Sequence, residues 1–224
     1  MIGALLATLG AGDCEALGDG WLIQPVAAWT SLAYAVVGLL LMASAAATST
    51  RERTLRIVFG LLLIGTGIGS FLYHGPQPAI AGFTHDITFL TTLWFLIIMN
   101  PAMPYGLRRG WAWGAVVATS AVMAMALLIA PTSTNVLTAI SVVALVVSDF
   151  LVRRVAGIDG RLYAAALSLF AGALVFNVLG RTGASTCAPD HAFQLHGVWH
   201  VLSAVAFGAY FIATTRPRDQ EPLR

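Results

Sequence analysis

The chain contains no lysine, and only 10% of its residues are charged. Without a lysine no retinal or other aldehyde cofactor can be held as a Schiff base. With so few charges a chain of 224 residues could not cover the surface of a water-soluble domain. The 12 basic residues are all arginines in short clusters, and the net charge is only +2, which is too little basic surface for nucleic-acid binding. Internal repeats, low-complexity tracts and linkers are also lacking, so residues 1–224 read as one domain. No inverted repeat or pair of broken helices suggests a transporter. Met1–Leu9 is apolar but short and has no basic flank, which argues against a cleavable signal peptide.

What the chain has instead is apolar sequence, 58% of residues, with a mean hydropathy of +0.82. A hydrocarbon core needs about 20 apolar helical residues per crossing. Seven stretches meet or approach that length: Val26–Ala47, Leu55–His74, Phe83–Asn100, Trp111–Ala130, Asn135–Val152, Leu162–Leu179 and Phe193–Thr214. Gly75-Pro76, Pro101, Pro104, Pro131, Gly157, Gly160, Gly180 and Gly183 separate them. In lipid every backbone polar group must be paired internally, so the expected fold is an all-α bundle of seven transmembrane helices.

The arginines orient this bundle. Eleven of them, from Arg51 to the C-terminal Arg224, fall in the first, third and fifth loops and the tail, and only Arg181 falls on the other side. The positive-inside rule then places the N-terminus outside and the C-terminus in the cytoplasm. Cys14 and Cys187, the two cysteines, both lie on the outer side. In a cytoplasmic membrane of the bacterial inner-membrane kind that side is oxidising, and a disulfide is expected between them.

Ionisable residues within apolar spans are costly and mark function. Ser70 and His74 are four apart at the end of the second span, Asp86 opens the third, and His196 and His200 are four apart opening the seventh. Spacing of four puts each pair on one helix face, and the alternation of the spans brings all five residues to the outer end. Three neutral imidazoles supply three corners of a zinc tetrahedron and leave the fourth open. Asp86 is placed to handle a proton and Ser70 to donate to an oxyanion, which is equipment for metal-assisted hydrolysis of an amide or ester. His85 and His191 read as interfacial or packing residues, Asn177 as helix-packing glue in preference to a pocket lining, and Asp149 as an ion-pair partner of Arg153 and Arg154. One other reading of the histidines remains: bis-histidine haem on His74 and His200.

A Ser-x-x-x-His closing the second of seven helices, an Asp opening the third and a His-x-x-x-His opening the seventh resemble the alkaline ceramidases. The superfamily they resemble also holds the progestin and adiponectin receptors, which makes a receptor or sensor with a structural zinc the alternative reading. Cys14-Glu15, Gln24-Pro25, Trp29-Thr30-Ser31-Leu32 and Gly197-Val198-Trp199-His200 are similar to the ceramidase branch. The resemblance implies an intramembrane zinc amidohydrolase cleaving ceramide or a similar N-acyl lipid that enters laterally from the membrane. In it His74, His196 and His200 would bind zinc, Asp86 and Ser70 would be catalytic, and Cys14 and Cys187 would match the family's disulfide. The animal enzymes also carry calcium on their N-terminal segment. Here Gly12, Asp13 and Leu17 replace an Asp, a Trp and an Asn of that pattern, leaving Asp13, Glu15 and Asp19 as oxygen ligands for a weak Ca2+ site.

Overall fold

The computed structural model describes residues 9–102, 107–155 and 158–215. The tail arginines Arg216, Arg218 and Arg224 of the orientation argument lie outside the described residues, as does most of Met1–Leu9. The described chain is helical without a strand: α1 (Pro25–Ser31), α2 (Ala33–Ser44), α3 (Thr50–His74), α4 (Ala81–Ala102), α5 (Arg109–Ile129), α6 (Thr134–Val155), α7 (Gly160–Leu179) and α8 (Leu195–Thr215). With α1 and α2 taken together as Pro25–Ala47, seven helices are long and apolar enough to cross a membrane. Leu40, Val117, Leu128 and Val178 each expose more than 60% of their surface. An apolar exterior of this kind suits lipid rather than water.

The first expected span is interrupted at Leu32. Thr30 Oγ1 donates to the Val26 carbonyl at 2.7 Å and Ser31 Oγ to the Ala28 carbonyl at 2.7 Å. Hydroxyls turned back on their own helix in this way bend it, and the bend leaves Thr30 beside α8. At the start of α3, Ser49 accepts from the Glu52 amide, and Glu52 pairs with Arg56 one turn on. Asp159 caps α7 through the Leu162 amide at 3.1 Å.

α3 packs between α2 and α4, α4 also packs on α5 and α6, and α8 packs on α7, α2 and α1. Among the described residues α6 and α7 lack extended packing on each other and meet at Asp149 and Tyr163. Phe59 lies between Phe211 at 4.5 Å and Phe95 at 5.5 Å, so fully buried rings tie α3, α8 and α4 together. Toward the other end of α3, Gly69 lets α4 approach; a Cβ there would sit 2.7 Å from the Thr84 carbonyl oxygen. The close crossing brings the His74 end of α3 against the start of α4.

Over this end of the bundle lies the segment from Leu9 to Gln24. Cys14 is joined to Cys187 by a disulfide, as the sequence led us to expect. The Cys14 amide also donates to the Gly180 carbonyl at 2.8 Å, and Asp13 forms an isolated bridge with Arg181. The segment is thereby strapped to the loop between α7 and α8.

Candidate metal centre

His74, His196 and His200 are all buried, and their nearest ligand atoms lie within 4.8 Å of one another. The ring centroids are 5.1 Å apart from His74 to each of the other two and 4.6 Å apart between His196 and His200. Zinc–nitrogen bonds of ~2.0–2.1 Å in a tetrahedron put ligand nitrogens about 3.3 Å apart, so modest closure of the rings completes three corners.

The three rings share one arrangement. His74 Nδ1 meets Gln24 Oε1 at 2.8 Å, His196 Nδ1 lies 3.2 Å from Asp13 Oδ1, and His200 Nδ1 is 3.3 Å from Thr30 Oγ1. Gln24 directs its own Nε2 to the carbonyls of Gly10 and Glu15, which fixes its Oε1 as the acceptor for His74. The Thr30 hydroxyl spends its proton on the α1 backbone and so accepts from His200. The Nδ1 atoms of His74 and His200 thus have oxygen partners of the kind that orient metal-bound imidazoles, whereas His196 Nδ1 lies beside Asp13 without a hydrogen bond among the described residues. Buried His74 Nε2 has no hydrogen-bond partner among the described residues. Such an orphan is costly unless something coordinates it, and the donor set fits a zinc-like ion.

Gly10 belongs to the same construction. It has a φ of +77°, and a Cβ would lie 2.1 Å from Gln24 Oε1. Gln24→Leu keeps the bulk but removes the acceptor for His74. Metal affinity measured by competition with a chelator should fall about 10–100-fold, and unchanged affinity would remove Gln24 from the centre.

The acidic trio proposed for calcium is not assembled as one site. Among the described residues, the His triad is the group of three or more His, Cys, Asp or Glu side chains that converges closely enough for an ion. Asp13 faces His196 and the Arg181 guanidinium, the latter at 3.3 Å. Both Glu15 oxygens accept the first amides of the bundle, from Val26 at 2.7 Å and Ala27 at 2.8 Å, and Asp19 is exposed. Short-range amide capture by Glu15 and the pull of a histidine on Asp13 separate what the sequence places two residues apart. Burial pushes the Asp13 carboxyl up to about 6 against the opposing Arg181 charge. Burial also raises Glu15, against the amides of Ala27 and Val26.

Ser70 is buried with Oγ 3.4 Å from His200 Nε2. Asp86 is held by His85 Nδ1 at 2.8 Å and by the Thr134 hydroxyl of α6. The three histidines, Ser70, His85, Asp86 and Thr134 line one cavity of about 400 Å³. It continues past Phe89, Leu93, Phe170 and Phe207 to Asp149 and Tyr210. From His196 to Tyr210 along α8 the distance is about 21 Å at 1.5 Å per residue. Val146 on α6 and Leu167 and Leu174 on α7 line the cavity and are also exposed, which marks the unpacked gap between α6 and α7 as its side opening.

Several roles differ from those read in the sequence. His85 lines the cavity, with its ring 4.5 Å from Tyr73 and 6.3 Å from His74. Of the two readings of Asn177 the structure takes the second: it lines the cavity, and its buried Oδ1 lacks a partner among the described residues. Asp149 does pair with Arg153, at 3.1 Å, and it also accepts the phenols of Tyr163 and Tyr210, closing the far end of the cavity. The Arg154 side chain lies outside the described residues. His191 is exposed and bonds within its own loop, as expected. Adjacency to Asp86 was the one signal for His85, and a polar residue near the outer end of an apolar span the signal for Asn177; nothing local marked Thr134. Compared with family models, curated proteins and solved structures, the chain matches none, so the candidate centre stands on its own geometry.

Proposed function

We propose that this chain is an intramembrane zinc-dependent amidohydrolase, ceramidase-like, which cleaves a long-chain N-acyl lipid to a fatty acid and an amine. The observation that carries the reading is a triad of buried, convergent histidines at the head of a long apolar cavity. His74, His196 and His200 would hold a zinc ion, which would supply Lewis acidity for activating water and polarising a carbonyl.

The remaining chemistry belongs to side chains. The acyl chain lies along Phe89, Leu93, Phe170 and Phe207, having entered between α6 and α7. A cavity of about 20 Å exceeds the depth of one leaflet, half of a core about 30 Å thick, and so accepts a long chain. The amide carbon then rests beside Ser70, whose hydroxyl donates to the developing oxyanion. Water oxygen bonds to that carbon as Asp86 takes a proton; the C–N bond breaks and the proton passes to the departing amine. Asn177 offers its free carbonyl oxygen to a donor on the head group. Orientation follows from the arginines: Arg53, Arg56, Arg108, Arg153 and Arg161 lie at the end opposite the triad, so the centre faces the outer side of a cytoplasmic membrane.

The test is incubation of purified protein with a fluorescently labelled long-chain ceramide and, in parallel, an ester-linked lipid of the same chain. Release of fatty acid that stops on chelation and returns with zinc is the expected result. One tightly held zinc per chain without turnover of either lipid would replace this reading with that of a receptor-like protein with a structural metal.

A further inference from the structure

We infer that Thr134 and His85 are positioning residues that clamp the Asp86 carboxylate for the reaction proposed above, on which this inference rests. Asp86 lies in the first turns of α4, where a free carboxylate would have several rotamers. Here each oxygen has its own donor. Oδ1 accepts from His85 Nδ1 at 2.8 Å, and Oδ2 accepts from the Thr134 hydroxyl at 2.5 Å. The Pro131 carbonyl is a more distant alternative acceptor for that hydroxyl, at 3.2 Å, and a hydroxyl has one proton to give.

The two donors are themselves held from different helices. Neighbours in a helix do not ordinarily face each other, so the His85 ring must be turned to reach Asp86. It is, by lying against Tyr73 of α3, centroids 4.5 Å apart and planes 30° apart. Thr134 is delivered by the short turn Pro131–Ser133, which ends α5's connection and begins α6. Asp86 is thus fixed by α3, α4 and α6 at once, on the wall of the cavity that also carries Ser70 and the triad. A carboxylate satisfied at both oxygens cannot swing toward the histidines as a fourth ligand without losing a bond, and its reach toward the acyl carbon is set. Misplacement of a catalytic group by about 1 Å costs on the order of 100-fold in rate.

Thr134→Val removes the hydroxyl with little change of shape, Thr134→Ser keeps it, and His85→Phe keeps the stacking on Tyr73 but removes the donor. Each purified variant is measured for metal content by elemental analysis and for kcat and KM on the labelled ceramide. For Thr134→Val and His85→Phe the expected result is kcat lowered about 10–100-fold, with KM within about twofold and metal content unchanged. Thr134→Ser restores most of the rate. A purely structural contact would lower thermal stability in Thr134→Val without separating kcat from KM. If wild type is active and Thr134→Val keeps its kcat, the clamp is overturned alone. If wild type is inactive on every lipid while holding its metal, the hydrolase reading falls and the clamp with it.

Discussion

Replacing His200 with glutamine will lower the metal content of the purified protein from about one ion per chain to less than about a tenth. His200 is 2% exposed, and it supplies one of three nitrogens that converge from α3 and α8. Loss of an outer partner costs about 10–100-fold in affinity, and loss of a ligand itself costs more. Glutamine preserves most of the volume, so the loss is not a consequence of a cavity. The matched control is His191→Ala: an exposed histidine of the preceding loop, turned to its own backbone, whose removal will leave the metal in place. Elemental analysis of the three proteins decides this before any substrate is chosen. Equal metal in wild type and His200→Gln would dissolve the centre.

Asp86→Asn will lower turnover of the labelled ceramide by about 100- to 10,000-fold, the usual contribution of a positioned acid or base. Asparagine still accepts from Thr134 or His85 through one oxygen but cannot take a proton from water. Asp86 is not among the convergent ligands, so the variant will hold its metal as wild type does. Metal content and turnover measured on the same preparation separate the two residues: His200→Gln loses both, whereas Asp86→Asn loses only the second. An Asp86→Asn protein with wild-type turnover would move proton transfer to another group of the cavity, His85 being nearest to hand.

Much of the scaffold was legible because lipid is a demanding solvent. An apolar run of about 20 residues has few alternatives to a helix there, and the seven expected runs match the described helices to within a few residues except Leu55, which starts five residues after α3 does. The break at Leu32 was not legible, since Thr30 and Ser31 bond their own backbone in a pattern common in unbroken helices too. His74, His196 and His200 were legible because an ionisable side chain in an apolar run needs a reason, and spacing of four gives it a face.

The surroundings of the histidines were another matter. Gln24, Asp13 and Thr30 lie in a polar segment and a bent helix with no period to read, and each serves a histidine far along the chain. Asp13 and Glu15 looked like parts of one oxygen site because they are close in sequence; one turns to His196 and the other caps α1. Thr134 stands 48 residues from Asp86, and nothing at either position announces the other.

By itself, then, the sequence determined the helices, the end of the bundle at which the polar residues gather, the disulfide and the identity of the converging histidines. These depend on hydrophobicity, charge and helical period, which are local properties of the chain. Only the tertiary structure decided that α6 and α7 meet at Asp149 and Tyr163 without extended packing, that the cavity runs down to Asp149, and that Gln24 and Thr30 serve the Nδ1 atoms of His74 and His200. Those are contacts between distant segments, set by how close one glycine lets two helices come and by where a disulfide holds a strap, and no local pattern encodes them.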